Sequence, residues 1–324
     1  MLRLESISKT FNPGTANETL ALDNLSLSLN KGEFVVVIGG NGSGKSTTLN
    51  AIAGVFPVDE GKIILDDADD ATVVREYKYK WMNYLYKLVT LPGRILKDLK
   101  RRISNYLRRV LQGSKYKWAQ DLGSLFKEPT LNTEIDMTML PEYKRATYLG
   151  RVFQDPMLGT ATDMTIEENL AVALRRGKKR GLRKGVPKSE REFYREALKQ
   201  LDLGLENRLT NKIGLLSGGQ RQAITLLMAT IKKPKLLLLD EHTAALDPKT
   251  AAKVLELSDK LIRRDNLTTL MVTHNMKDAI QYGDRLIMMD AGRIIFEASG
   301  EEKRALSVKD IIEKFSIVRA VEEY

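Results

Sequence analysis

The sequence of 324 residues contains no cysteine and only two histidines. Without cysteine the chain forms no disulfide bond and no thiolate metal site, which is typical of a reducing compartment. No run of 18 apolar residues occurs, so we expect that this chain does not span a membrane. Residues 1–5 alternate as an opening strand does and lack the apolar core of a secretory signal, so none is expected.

Positive charge is concentrated in one part of the sequence. The formal net charge is +10, and segment 72–120 carries 13 Lys and Arg against 2 acidic residues, which accounts for the whole excess. Between residues 95 and 111 apolar side chains recur at i, i+3 and i+4, and basic side chains occupy the opposite face. This pattern predicts a basic amphipathic helix within a helical insertion at residues 70–134.

The same insertion is rich in aromatic residues, and both tryptophans, Trp81 and Trp118, lie in it. Aromatic and basic side chains on one amphipathic stretch suit an anionic membrane surface, here through residues 72–120, or a transporter partner subunit. They also suit single-stranded nucleic acid, the less favoured interpretation. A self-packed helical subdomain with a solvated charged face is the structural alternative.

A phosphate-binding loop follows the β-branched run at residues 34–38. The loop matches G-x-x-x-x-G-K-[ST], and its residues are Gly39, Asn41, Gly42, Ser43, Gly44, Lys45, Ser46 and Thr47. Glycines let backbone N–H groups surround a phosphate, Lys45 supplies positive charge, and the Ser46 hydroxyl can bind Mg²⁺. A glycine turn beside a stray lysine is the alternative, which the preceding strand disfavours. The pattern predicts a site for a nucleoside triphosphate.

A second motif lies far downstream, at the start of an apolar-periodic helix, and comprises Ser217, Gly218, Gly219 and Gln220. A serine N-cap followed by bare amides can hold an anion, although alone it could be an ordinary capped helix. An apolar strand then ends at Asp240 and Glu241, and another ends at His274. These carboxylates are placed to hold Mg²⁺ and to polarise an attacking water, respectively.

In this order the motifs resemble those of the ATP-binding-cassette (ABC) ATPase family. The resemblance implies that Gln154 contacts Mg²⁺ and water and senses a transmembrane partner, and that His274 contacts the γ-phosphate. It also implies that Asp247 belongs to a loop that crosses between subunits. Phe11 resembles the aromatic residue that stacks on adenine, and a core residue at a strand end is the less favoured alternative.

The resemblance implies an α/β fold of the P-loop NTPase class, an ABC cassette. It would comprise a RecA-like core with an antiparallel β subdomain (1–69 and 135–154), the helical insertion (70–134), a helical signature subdomain (155–215), and the signature helix, Walker B strand, switch region and C-terminal core (216–324). A basic run at residues 175–184 is most simply a solvated loop.

The resemblance further implies an ATPase that uses ATP and Mg²⁺ and energises a transporter whose path other chains form. The signature of one copy would cap the ATP held by the P-loop of a second copy. Permease subunits and a solute-binding protein are the expected partners, at the cytoplasmic face of the cell membrane. The sequence resembles importers of small solutes such as aromatic amino acids. The alternatives are a cassette acting on nucleic acid or ribosomes, and an export ATPase.

His242 departs from the family pattern, which usually has proline after the catalytic glutamate. One hypothesis is that a protonated His242 perturbs Glu241 and makes hydrolysis sensitive to acid. A tolerated loop substitution is the favoured interpretation, because Glu241 already supplies the base.

Overall fold

The computed structural model describes residues 1–66, 134–178 and 185–322. The chain divides into two units, Met1–Asp66 with Ile135–Tyr324, and Asp67–Glu134. Residues 70–133 of the predicted insertion, with its basic helix, lie outside the described residues, and Glu134 begins a strand. Residues 179–184 of the second basic run also lie outside them. Within the described ranges, no helix has the length and apolar character needed to cross a bilayer.

Ten strands and nine α-helices form the described part of the chain. The strands are β1 (Leu2–Phe11), β2 (Thr19–Leu29), β3 (Phe34–Gly39), β4 (Glu60–Asp66), β5 (Glu134–Asp136), β6 (Leu149–Val152), β7 (Leu236–Asp240), β8 (Thr268–Val272), β9 (Arg285–Asp290) and β10 (Arg293–Ser299). The helices are α1 (Lys45–Ala53), α2 (Glu142–Arg145), α3 (Ile166–Leu174), α4 (Lys188–Lys199), α5 (Gly218–Thr230), α6 (Pro248–Asp265), α7 (Met276–Gln281), α8 (Gly300–Ala305) and α9 (Val308–Glu322).

The central sheet has the order β10-β9-β3-β8-β7-β6. Strands β3, β7 and β8 are short apolar runs buried on both faces, as expected of parallel strands covered by helices. They pair in parallel, and β9 and β10 form the antiparallel hairpin that the turn at residues 291–292 predicts. The carboxyl ends of β3, β7 and β8 therefore meet at one edge of the sheet, where open α/β sheets bind ligands.

A second sheet, with the order β2-β1-β4-β5, packs in one hydrophobic cluster with α1 and one face of the central sheet. Its β4 ends at Asp66 and its neighbour β5 begins at Glu134, so the chain leaves and re-enters on adjacent strands. Arg145 joins this sheet region to α1: it is 1% exposed, and its guanidinium donates hydrogen bonds to the carbonyls of Leu140, Ala51 and Ile52.

Helices α3, α4 and α5 share a separate hydrophobic cluster. The spacing of Thr165 and Glu168 predicts a capping box at the start of α3. The structure confirms it, because each of the two side chains hydrogen-bonds the backbone of the other residue. Because α5 also packs against β6 and α6, this helix connects the helical region to the central sheet.

Candidate functional site

The loop between β3 and α1 has the backbone that close approach to a phosphate requires. Gly44 has a φ of 95°, and a Cβ atom there would lie 2.7 Å from the Ala21 carbonyl oxygen. A Cβ atom at Gly39 would lie 2.4 Å from the Met289 carbonyl oxygen. Glycine is therefore required at both positions, by conformation at the first and by space at both.

Lys45 folds back over this loop and is 6% exposed. Its Nζ donates hydrogen bonds to the carbonyl oxygens of Gly39 (3.0 Å) and Gly40 (2.7 Å). Burial lowers the pKa of Lys45, and the charges of Glu241 and Asp240 oppose that shift. The ammonium is thus a buried cation beside two carboxylates, a suitable partner for a polyphosphate.

Two oxygen ligands for a hard cation lie together at the start of α1 and the end of β7. The Ser46 Oγ atom is 3.4 Å from Asp240 Oδ1. Burial raises the pKa of Asp240, and the neighbouring Arg151 guanidinium acts against this rise. Among the described residues, no three His, Cys, Asp or Glu side chains cluster as a self-sufficient metal site. The hydroxyl and carboxylate therefore fit an Mg²⁺ ion whose other ligands come from a nucleotide.

Glu241 and His274 meet where β7 and β8 end. The Glu241 Oε2 atom is 3.5 Å from His274 Nδ1, and the Glu241 N–H donates to the Val272 carbonyl oxygen at 3.0 Å. Glu241 has a φ of 44°, in the left-handed region that non-glycine residues rarely adopt. This turn directs the chain away from the strand and leaves both side chains lining a pocket of about 330 Å³.

The signature motif begins α5. Ser217 and Gln220 form a reciprocal capping box, and Ser217 and Gly218 are exposed. A Cβ atom at Gly219 would lie 2.1 Å from Thr250 Cγ2, while Asp247 caps α6 by accepting a hydrogen bond from the Thr250 N–H. The signature and Asp247 therefore adjoin the same residue. No hydrogen bond between described residues joins the signature to the P-loop.

Gln154 and Asp240, the aspartate at the end of β7, line one pocket of about 440 Å³. It is lined by Asn50, Val55, Glu142, Arg151, Phe153, Gln154, Asp155, Leu158 and Asp240. Strand β6, which pairs with β7 in parallel, ends two residues before Gln154. The parallel pairing is what brings this glutamine to the edge of the sheet that holds Asp240.

Phe11 lies at the end of β1, partly exposed. Its ring meets the ring of Phe56 edge-on, with centroids 5.2 Å apart, and Lys9 Nζ is 5.7 Å from its centroid. These contacts hold an aromatic face at the rim of the antiparallel sheet. Stacking of Phe11 on adenine stays a prediction.

The comparisons with known proteins decide the family. A model of the ABC transporter family matches residues 22–244. The chain belongs to this family. The sequence is 38% identical to a tyrosine transport ATP-binding protein of Clostridioides difficile (strain R20291), over 97% of this chain and 98% of that protein. It is 29% identical to the methionine import ATP-binding protein MetN of Rhizobium johnstonii, over 92% of this chain and 60% of that protein.

Solved structures agree with this assignment. The dimeric ATP-binding cassette MJ0796, in a post-hydrolysis state with ADP and Pi, superposes with a TM-score of 0.62 at 26% identity, over 92% of this chain and 98% of that one. The ABC fold predicted from the sequence is confirmed, and the protein is an ABC transporter ATPase.

The sequence motifs missed two polar side chains of this ABC ATPase. Arg151 on β6 pairs with Asp240 and with Asn50, and the only signal for it is a charge within an apolar strand. Gln222 on α5 is fully buried, and its Nε2 donates to the carbonyl oxygens of Phe153 (3.1 Å) and His242 (2.6 Å). Gln222 thus ties the signature helix to the residue before Gln154 and to the residue after Glu241.

The hypothesis that protonated His242 perturbs Glu241 is wrong. His242 is 2% exposed, and its Nε2 lies 3.0 Å from Ser258 Oγ on α6. Burial lowers the pKa of His242 to about 4, so the ring is neutral near pH 7. The loop turns this side chain into the protein interior, and the tolerated substitution is the supported interpretation.

This burial predicts an acid-dependent stability that one histidine controls. Between pH 6.5 and about 4 the unfolded chain binds a proton at His242 that the folded protein does not, so stability falls as pH falls, by at most about 3 kcal/mol. We expect His242→Asn to flatten this slope in urea unfolding measured across that pH range. His274→Asn is the matched control, since that ring is 63% exposed and stays hydrated in both states. Equal slopes in all three proteins would contradict the prediction.

Proposed function

We propose that this ATPase is the energy-coupling subunit of an importer for a small solute, tyrosine or a related aromatic amino acid. The observation that carries the proposal is the similarity to a tyrosine transport ATP-binding protein along nearly the full length of both chains. Another similar protein is a methionine import ATP-binding protein, which also favours uptake over export.

In the proposed reaction, ATP would bind with Mg²⁺ at the P-loop. Lys45 and the loop amides would hold the phosphates, and Ser46, Asp240 and Gln154 would hold the metal ion, which would neutralise charge on the transferred phosphoryl group. Glu241 would accept the proton of the attacking water. His274, whose Nδ1 is 3.5 Å from Glu241 Oε2, would orient the water and the γ-phosphate. His274 is 63% exposed, which leaves its ring accessible to a bound nucleotide.

A second copy of the chain completes the site in this proposal. Ser217 and Gly218 present exposed polar groups at a helix N-terminus, an arrangement suited to a phosphate. No hydrogen bond between described residues joins these groups to the P-loop of the same chain, and the similar cassette structure is dimeric. Closure of the dimer around ATP, with Asp247 near the interface, would therefore be the step that hydrolysis reverses.

Permease subunits would dock at the pocket that contains Gln154. Two of its lining side chains are apolar and exposed, Val55 (50%) and Leu158 (70%). Exposed apolar groups of this size indicate an interaction surface, and its proximity to Asp240 would connect docking to the reaction. The protein would then lie at the cytoplasmic face of the membrane, with a solute-binding protein delivering the cargo.

Uptake of labelled tyrosine tests the proposal. In cells of the native organism, Glu241→Gln would replace the native protein. We expect tyrosine uptake to fall to background, because dimers that do not hydrolyse ATP cannot reset the permease. Uptake of lysine, a cationic amino acid, is the control and should be unchanged. Normal tyrosine uptake would exclude tyrosine as the cargo. Co-purification of a permease would then show that the chain still serves a transporter, for another solute.

A further inference from the structure

A cation that belongs to the protein occupies one side of the Walker B aspartate. Arg151 Nη2 lies 3.2 Å from Asp240 Oδ2 and 2.6 Å from Asn50 Oδ1. The other aspartate oxygen, Oδ1, faces Ser46 at 3.4 Å. The two carboxylate oxygens are therefore divided, one bound to arginine and one directed to the hydroxyl that fits a metal ion.

The guanidinium is held in this position by packing as well as by charge. It lies over the ring of Phe153, with its central carbon 4.6 Å from the ring centroid. The side chains of Arg151 and Asp240 are only 14% and 15% exposed, so water screens their interaction less than that of a surface pair. The Nε of Arg151 is buried and has no hydrogen-bond partner among the described residues.

Carboxylates outnumber cations around Asp240. Glu142 and Asp155 line the same pocket, Glu241 is the next residue in the chain, and the nearby cations are Lys45 and Arg151. Lys45 is committed to the P-loop carbonyls, which leaves Arg151 as the cation that directly pairs with the aspartate. Removing Arg151 would leave a partly buried carboxylate without its ion-pair partner.

We infer that Arg151 is a positioning residue that substitutes for the metal ion at Asp240 when ATP is bound without Mg²⁺. It fixes the carboxylate with Oδ1 towards Ser46, and its charge compensates for the phosphates as long as no metal does so. Once Mg²⁺ is bound, the same charge repels the metal. Arg151 therefore reduces the dependence of ATP affinity on Mg²⁺. This inference rests on the Mg²⁺ site of the proposed function.

The experiment compares the Kd of a fluorescent ATP analogue in EDTA with its Kd in saturating MgCl₂. The measured quantity is the Kd in EDTA divided by the Kd in MgCl₂. In Arg151→Gln, which keeps hydrogen-bonding groups but loses the charge, we expect this ratio to rise about fivefold. The rise should come mainly from weaker binding in EDTA. Arg151→Lys retains the charge and should stay within about twofold of the wild-type ratio.

The matched control is Arg191→Gln, which breaks an ion pair with Glu167 of 2.7 Å in the helical region and should leave the ratio unchanged. If Arg151→Gln changes both constants by the same factor, or if Arg151→Lys behaves like Arg151→Gln, the role is structural and the inference is overturned. A ratio of one in both the wild type and Arg151→Gln would instead overturn the Mg²⁺ assignment in the proposed function, and the inference with it. Absence of ATP binding in wild type under both conditions would overturn the nucleotide site.

Discussion

Glu241→Gln is expected to bind ATP with nearly wild-type affinity and to hydrolyse it about 100- to 1,000-fold more slowly. The amide has the same size as the carboxylate and keeps its place at the end of β7, but it cannot accept a proton from water. Because hydrolysis is the step that would separate the dimer, the variant should accumulate as an ATP-bound dimer. Phosphate release and the mass measured by light scattering with Mg²⁺ and ATP check the two effects.

The control for Glu241→Gln removes another carboxylate from the same pocket. Asp278 lines that pocket with Glu241 and His274, and burial raises its pKa. Asp278→Asn should reduce turnover by less than tenfold, because nothing assigns proton transfer to Asp278. Equal losses in the two variants would indicate a general effect of charge in the pocket, and normal turnover in Glu241→Gln would refute Glu241 as the base.

Lys45→Met should weaken ATP binding about 100-fold without unfolding the protein. The lysine supplies charge-assisted hydrogen bonds to phosphate that methionine cannot make. In the absence of nucleotide the burial of Lys45 lowers its pKa, which means that the folded state disfavours the ammonium relative to the unfolded state. The free energy of unfolding should therefore stay equal or rise. Urea unfolding and equilibrium ATP binding separate the two effects, and a destabilised apo protein would contradict this account.

Mixing variants tests whether two chains build each site. Lys45→Met fails at the P-loop, and Ser217→Arg places a bulky cation at the exposed signature serine, so each homodimer should be inactive. A mixed dimer contains one site with an intact Lys45 and an intact Ser217, if the signature acts in trans. We expect the mixture to regain hydrolysis that neither variant shows alone. No recovery, with mixed dimers demonstrated by tagged pull-down, would favour sites completed within one chain.

Much of the site could be predicted because its signals are local. The run at 34–38, the glycines and Lys45 specify a strand, a loop and a helix start within 15 neighbouring residues, and the structure has them there. Asp240 and His274 could also be placed together, since carboxyl ends of parallel strands meet at one edge. Strand β8 ends at Val272, two residues before the predicted end at His274. The sequence predicts a closing helix around Val308–Phe315, whereas α9 extends to Glu322.

The contacts of Arg151, Gln222 and His242 depend on which face of the sheet each side chain lies on and on which residues pack there. Arg151 pairs with Asp240 because β6 and β7 are parallel neighbours, although the two residues are 89 positions apart in the chain. Gln222 bonds Phe153 and His242 because α5 crosses both segments. His242 stands next to Glu241 in the sequence, yet the turn at Glu241 sends it into the interior.

The sequence by itself determined the family and the positions of the P-loop and signature motifs, because these motifs are defined by short-range spacing. It also determined that positive charge is concentrated at residues 72–120. The tertiary structure alone decided that Arg151 pairs with Asp240. It also decided that His242 is a neutral core residue beside Ser258. Both results depend on burial and on the atom that each side chain contacts. That atom is Asp240 Oδ2 for Arg151 and Ser258 Oγ for His242, and each belongs to a residue distant in the sequence.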